Sequence, residues 1–219
     1  MSPAEIIQRR VAQALQPGTL VNLGIGLPTG VARFVAPGSG ILFQSENGIV
    51  GMAERPPEGM EDPDLTDAGG GFISAVPGAA TIDSAVSFGL VRGGHLHTTV
   101  LGGLQVDELG QLANWMVPGK MVPGMGGAMD LVTGARHVVV AMQHTAKGDP
   151  KIVPRCTLPL TSLRRVDLVV TDLCVIAPTD AGLVLRETAP GVTVAEVLAA
   201  TSAHLTVPDG GVPTMALQG

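Results

Sequence analysis

The first residue placed where it could do chemistry is Glu46, in "FQSENGIVG" (residues 43–51). Ile41, Leu42 and Phe43 read as the interior of a short strand, and Asn47-Gly48 reads as a tight turn. Glu46 then stands where the strand empties into its loop, the position at which open α/β sheets hold their ligands. A carboxylate there either meets a ligand or is a solvated turn residue. Two glycine-rich stretches bear on that choice. In "NLGIGLPTG" (22–30), Gly24-x-Gly26 follows a strand pattern, and Glu46 lies 20 residues beyond Gly26. That is nearly the dinucleotide fingerprint, in which the acid binds a ribose hydroxyl. The third glycine, Gly30, comes one position late, so a tight strand-to-helix turn beside a cleft fits equally well. The second stretch, "NWMVPGKMVPGMGGAMD" (114–130), has four glycines and two prolines among four methionines and reads as irregular. Backbone N–H groups in such a run can cradle a phosphate or a developing oxyanion, or the loop can be purely structural. Trp115 reads as core.

Other chemistries find little support. Histidines 95, 97, 137, 144 and 204 fall in no metal-ligand spacing. Cys156 and Cys174 form no paired zinc motif and suit a reducing cytoplasm. A G-x-S-x-G elbow is missing, so serine hydrolysis is disfavoured.

These residues need elements to position them. "AEIIQRRVAQAL" places Ile7, Val11, Ala14 and Leu15 on one helical face, stopped by "QPG". Residues 19–23 and 41–45 read as strands flanking a short helix near 31–35. Residues 82–91 form a helical pattern closed by Gly93-Gly94, and 98–102, 137–142 and 167–172 read as buried strands of the parallel kind. Residues 174–188 read as a hairpin turning near Asp180-Ala181-Gly182. In 193–201, Thr193 and Glu196 make a capping box. With no internal repeat or linker, one α/β domain over 1–207 is expected, followed by a flexible tail over 208–219.

Composition narrows the partners. The 219 residues carry a net charge of −6, no Tyr, four Phe and one Trp. An acidic, aromatic-poor chain lacks the phosphate-neutralising face and the stacking platforms of nucleic-acid binding. Six acids and one Arg fall in residues 54–67, a solvated loop or a lid. Mean hydropathy is high at +0.37, yet no apolar run approaches a membrane span, and the opening residues lack a secretory pattern. A soluble protein is expected, with its excess apolar surface covered by another polypeptide.

Several blocks occur together: "VNLGIGLPT" (21–29), "QSENGIVGM" (44–52), "RGGH" (92–95), "GGLQVDELGQLANWMVPGKMVPGMGGAMDLV" (102–132), "HTAKG" (144–148), "RCTLPLT" (155–161) and "GLVLRETAPGVTVAEV" (182–197). In this order they resemble the family I coenzyme A transferases, specifically the B-type subunits of the 3-oxoacid enzymes. The resemblance implies a three-layer α/β/α sandwich with a mostly parallel central sheet. It implies Glu46 as the nucleophile and a backbone N–H of Gly127, beside Gly126, as oxyanion donor. Asn47, Gly24, Gly26 and Gly126 become substrate-binding candidates. The implied reaction moves coenzyme A, a substrate and not a resident cofactor, from an acyl-CoA such as succinyl-CoA to acetoacetate or 3-oxoadipate. Acetate with acetoacetyl-CoA is the alternative acid pair, and a silent CoA- or dinucleotide-binding module the alternative of another class. The implied partner is the A-type subunit of a CoA-transferase, in an α2β2 complex. Three positions depart from the family pattern: His97, Gln143, and Gly70 in "DAGGG" (67–71), where a lysine is expected.

Overall fold

A computed structural model describes residues 1–119 and 126–217. Lys120 and the central part of the glycine- and methionine-rich stretch, with the last two residues of the expected tail, lie outside the described residues.

The centre of the fold is a ten-stranded sheet. In chain order its strands are β1 Leu20–Leu23, β2 Leu42–Ser45, β3 Ile49–Ala53, β4 Ser74–Thr81, β5 Thr98–Leu101, β6 His137–Ala141, β7 Leu168–Val170, β8 Cys174–Thr179, β9 Gly182–Thr188 and β10 Leu205–Thr206. Across the sheet they run β10-β9-β8-β7-β6-β5-β1-β2-β3-β4. The central block β7-β6-β5-β1-β2 is parallel throughout, and the hairpins β2-β3-β4 and β7-β8-β9 extend it antiparallel on either side.

The alternation of a strand's side chains explains the layering. In β6, Val138 and Val140 join one core while Val139 and Ala141 join another; β5 divides Leu101 from Val100, and β7 divides Val169 from Val170, in the same way. The first core is covered by three helices, α2 Ser84–Arg92, α3 Ala128–Gly134 and α4 Val194–Ala199, through Val91, Leu131 and Val197. The second is covered by α1 Pro3–Ala14, through Ile7 and Val11. The Ser2 hydroxyl caps α1 by accepting from the Glu5 N–H at 3.2 Å, and the Thr193–Glu196 capping box forms at α4.

Four expectations change. Residues 27–34 form a 3-10 helix, Leu27–Phe34, longer than the expected turn of helix near 31–35. The irregular glycine stretch ends in α3, because its last residues supply a run free of proline. Strands β3 and β4 escaped the periodicity reading: β4 is a run of small residues, largely exposed on both faces, and carries no alternation to detect. Finally, the expected flexible tail docks. Met215 and Leu217 are buried in the α1-side core, and Met215 N–H donates to the Thr188 carbonyl at 2.8 Å.

Candidate active site

Glu46 occupies the corner of the turn joining β2 to β3. Gly48 N–H donates to the Ser45 carbonyl at 3.0 Å, and Ser45 pairs with Ile49. Gly48 holds φ +128°, and a β-carbon there would fall 2.0 Å from the Ile82 carbonyl oxygen, so the turn requires glycine. The strand is fixed from below by a chain of buried polar groups. Thr99 Oγ1 donates to Asn22 Oδ1 at 3.1 Å, Asn22 Nδ2 to Gln44 Oε1 at 2.9 Å, and Gln44 Nε2 to Ser87 Oγ at 2.8 Å. The chain ties β5, β1 and β2 to α2 two residues before Glu46. Cutting one link strands a buried polar atom, at a cost of about 1–3 kcal/mol.

The carboxylate faces a cleft of about 630 Å³ at the C-terminal ends of the parallel strands. Gly24 and Ile25 follow β1 on one wall, Leu104 and Trp115 form another, and Gly126 and Gly127 close the third. Gly127 N–H donates to Glu46 Oε1 at 3.0 Å. A β-carbon on Gly127 would lie 2.8 Å from both that oxygen and the Phe88 ring, so the close approach depends on glycine. Burial pushes the Glu46 carboxyl above the usual range; the Gly127 N–H pulls it down, and the nearby Asp130 carboxylate adds to the rise.

Of the residues singled out in the sequence, Glu46, Gly24, Gly126 and Gly127 meet in this cleft. Gly26 borders a neighbouring cleft of about 440 Å³ with Thr29 and Arg33. Asn47 is exposed and donates to the Thr66 carbonyl at 2.7 Å, so it anchors the end of the acidic loop. Trp115 is half-buried in the cleft wall, not core, with its indole N–H donating to the Leu160 carbonyl at 3.3 Å. The dinucleotide reading of Gly24 loses ground, since its N–H already donates to the Val100 carbonyl at 2.8 Å and the loop leads into a 3-10 helix. His97 pairs with the His137 ring, 4.9 Å between centroids, where β5 and β6 begin, at the opposite end of the sheet from Glu46. Gly70 adjoins the cleft-lining Gly69, and Gln143 is exposed just past the end of β6. Among the described residues no group of His, Cys, Asp and Glu could hold a metal ion.

Sequence reasoning missed Phe88, Arg92 and Asp130, which surround the Glu46–Gly127 contact. Arg92 Nε and Nη2 donate to the two carboxylate oxygens of Asp130 at 2.7 and 3.1 Å, and the guanidinium lies over the Phe88 ring, 5.8 Å from its centroid. The only available signal was position: Asp130 ends "GMGGAMD" and Arg92 opens "RGGH".

Comparison with known proteins gives the same direction. The family model described as Coenzyme A transferase matches residues 4–200. The chain is 54% identical over 208 residues to the acetate CoA-transferase subunit beta of Escherichia coli, covering 94% of this chain and 95% of that one. It is 47% identical over 204 residues to the B-type subunit of the succinyl-CoA:3-ketoacid coenzyme A transferase of Helicobacter pylori, covering 93% and 98%. Among solved structures it resembles the acyl-CoA transferase apoenzyme of Escherichia coli, with a TM-score of 0.79 at 20% identity. That match covers 99% of this chain and 44% of the larger one, and it concerns the fold alone.

Proposed function

The chain belongs to the coenzyme A transferase family, and from that premise we propose that it supplies the nucleophile which moves coenzyme A between an acyl-CoA and a free carboxylic acid. The observation that carries this reading is Glu46: a half-buried carboxylate facing a cleft and, among the described residues, held by the backbone N–H of Gly127. One Glu46 oxygen attacks the thioester carbonyl of the acyl-CoA, the C–S bond breaks, and a mixed anhydride forms with release of CoA thiolate. The thiolate attacks the glutamyl carbonyl carbon and expels the first acid, leaving a glutamyl-CoA thioester. A second carboxylate attacks that thioester, and the thiolate returns to the new acyl carbon, restoring Glu46.

Gly127 N–H suits the two steps at the glutamyl carbon. It already donates to Oε1, the oxygen on which negative charge collects when that carbon becomes tetrahedral. A donor in place before the charge develops is worth about 3–4 kcal/mol. Coenzyme A serves as substrate here and not as a resident cofactor. The bacterial relatives are named as beta-type and B-type subunits, which supports a second polypeptide, of the A type, in an α2β2 enzyme.

The sequence resemblance favours succinyl-CoA with a 3-oxoacid. The cleft supports a second acid pair, acetate with acetoacetyl-CoA, because its described lining includes Ile25, Leu101, Leu104 and Leu131 and no Lys, Arg or His. A short uncharged acyl tail fits such walls; a distal carboxylate needs a cation that the described lining does not hold.

Two measurements on the co-purified complex test the proposal. Incubation with acyl-CoA alone, acid quenching and peptide mass analysis should find CoA linked through a thioester to Glu46 and none in Glu46→Gln. Thioester absent, or on another residue, would overturn the mechanism. Kinetics over an acid panel should then give acetate a higher kcat/KM than succinate, and the reverse order would restore the succinyl pair.

A further inference from the structure

A group whose reactivity depends on one backbone N–H also depends on whatever holds that N–H still. Gly127 lies at the junction of the glycine-rich stretch and α3. The ring of Phe88 in α2 packs against its α-carbon face, and one turn along α2 the Arg92 guanidinium lies over that ring while gripping Asp130 of α3 in a two-pronged ion pair. The contacts close a loop: Glu46, Gly127, Phe88, Arg92, Asp130, and back along α3 to Gly127.

We propose that Arg92 is a positioning residue for this reaction: its fork on Asp130 locks α3 against α2, keeps the Gly127 N–H on Glu46, and neutralises the one acid that faces the nucleophile from α3. The inference rests on Glu46 being the nucleophile. Arg92 is largely exposed and, among the described residues, its two hydrogen bonds both go to Asp130. An exposed ion pair holds little stability by itself, so its value here is geometric and electrostatic.

Among the described residues the charged surroundings of Glu46 are few. Asp130 faces it from α3, with Arg92 behind it at the end of α2. Asp67 shares a small pocket with Glu46, but its Oδ1 already accepts the N–H groups of Gly69 and Gly71 at 2.8 and 2.9 Å. The cleft residues that follow β1 and β5, together with Asn114 and Trp115, bring no titratable group. Asp130 pushes the Glu46 carboxyl up, on top of burial. Removing Arg92 exposes Glu46 to the unbalanced Asp130 charge, whereas removing the Asp130 charge relieves it.

Opposite shifts therefore follow from two halves of one ion pair. In the complex, Arg92→Gln should move the acid limb of kcat/KM to higher pH by roughly half a unit, about a threefold loss below the limb. Asp130→Asn should move it to lower pH. Arg92→Lys, which keeps charge but not the fork, should leave the limb in place while lowering the plateau kcat. Mass detection of the Glu46 thioester in each variant separates two failures: thioester missing in the wild type refutes Glu46 as nucleophile, and the role of Arg92 falls with it. Thioester present with both limbs unmoved, or moved in the same direction as a general loosening would move them, refutes the positioning role.

Discussion

Glu46 carries two demands that pull in opposite directions. As the proposed nucleophile it must be ionised, yet burial and Asp130 both push its carboxyl upward. Its folded-state pKa lies above the unfolded value, so this group favours the fold only in its protonated form. That contribution is complete below the unfolded pKa near 4.5 and is lost as pH rises through the raised folded value. Glu46→Gln keeps an acceptor for the Gly127 N–H and removes the desolvated charge. It should abolish transfer and raise Tm at pH 7, with the gain vanishing near pH 4, as thermal melts across pH would record. Wild-type kcat/KM should fall on the acid side at a pH above the ordinary carboxylate range. Glu46→Asp should be severely impaired, since withdrawing the carboxylate by one methylene spoils attack geometry. Gly127→Ala should reduce kcat by roughly 10²–10³, the size of one lost oxyanion donor, because the new β-carbon displaces both Glu46 and Phe88. Unchanged kcat in the folded variant would place the donor elsewhere.

The strands that hold these residues were legible where burial imposes a pattern. The apolar runs at 137–142 and 167–172 are buried on both faces and could be read as central parallel strands, and "SENG" could be read as a turn because Asn-Gly accepts its backbone. What was not legible depends on long-range packing. The run of small residues in β4 forms a strand only because β3 offers it a partner, and Met215 and Leu217 look like a tail until the core beneath α1 receives them. Arg92 and Asp130, 38 residues apart, meet only because α2 and α3 pack side by side. His144 shows the same dependence. It follows β6 fully buried, with Nδ1 at 3.0 Å from Thr171 Oγ1 and Nε2 at 2.9 Å from Thr201 Oγ1. Burial, aided by Lys151 and opposed by Asp172, lowers its pKa from 6.5 to about 4. The histidine is folded in its neutral form, so its contribution is present above pH 6.5 and is lost as pH falls toward about 4. The full effect is about 3 kcal/mol. Urea titrations from pH 8 to 4 should show wild-type stability falling through that window. His144→Gln should start less stable at pH 8 and follow a flatter curve, and an equally steep curve would assign the proton uptake to another group.

The outline of the folded chain leaves two matters for other surfaces to settle. At one end, residues 213–217 close the core under α1, with Gln13 Nε2 donating to the Ala216 carbonyl at 2.5 Å. Deleting residues 213–219 should therefore cost about 3–6 kcal/mol, at 1.5–3 kcal/mol for each of Met215 and Leu217, where a loose tail would cost nothing in a denaturant melt. The cleft is the second matter. Its described lining carries no Lys, Arg or His, and Lys147, Lys151 and Arg155 lie outside that lining. Ile25 at its wall is 68% exposed and Met60 of the acidic loop 72%. Exposed apolar side chains beside a described lining without Lys, Arg or His fit a surface completed by a second polypeptide, and obligate interfaces bury roughly 2,000 Å² or more. The chain purified alone should self-associate in light scattering and transfer CoA slower than the complex by roughly two orders of magnitude or more, since the binding energy of the remote parts of CoA is then unavailable to the transition state. Co-expression with the A-type partner should restore both a defined mass and full turnover. Comparable turnover from the isolated chain would mean that the phosphates of CoA find their cations within these 219 residues.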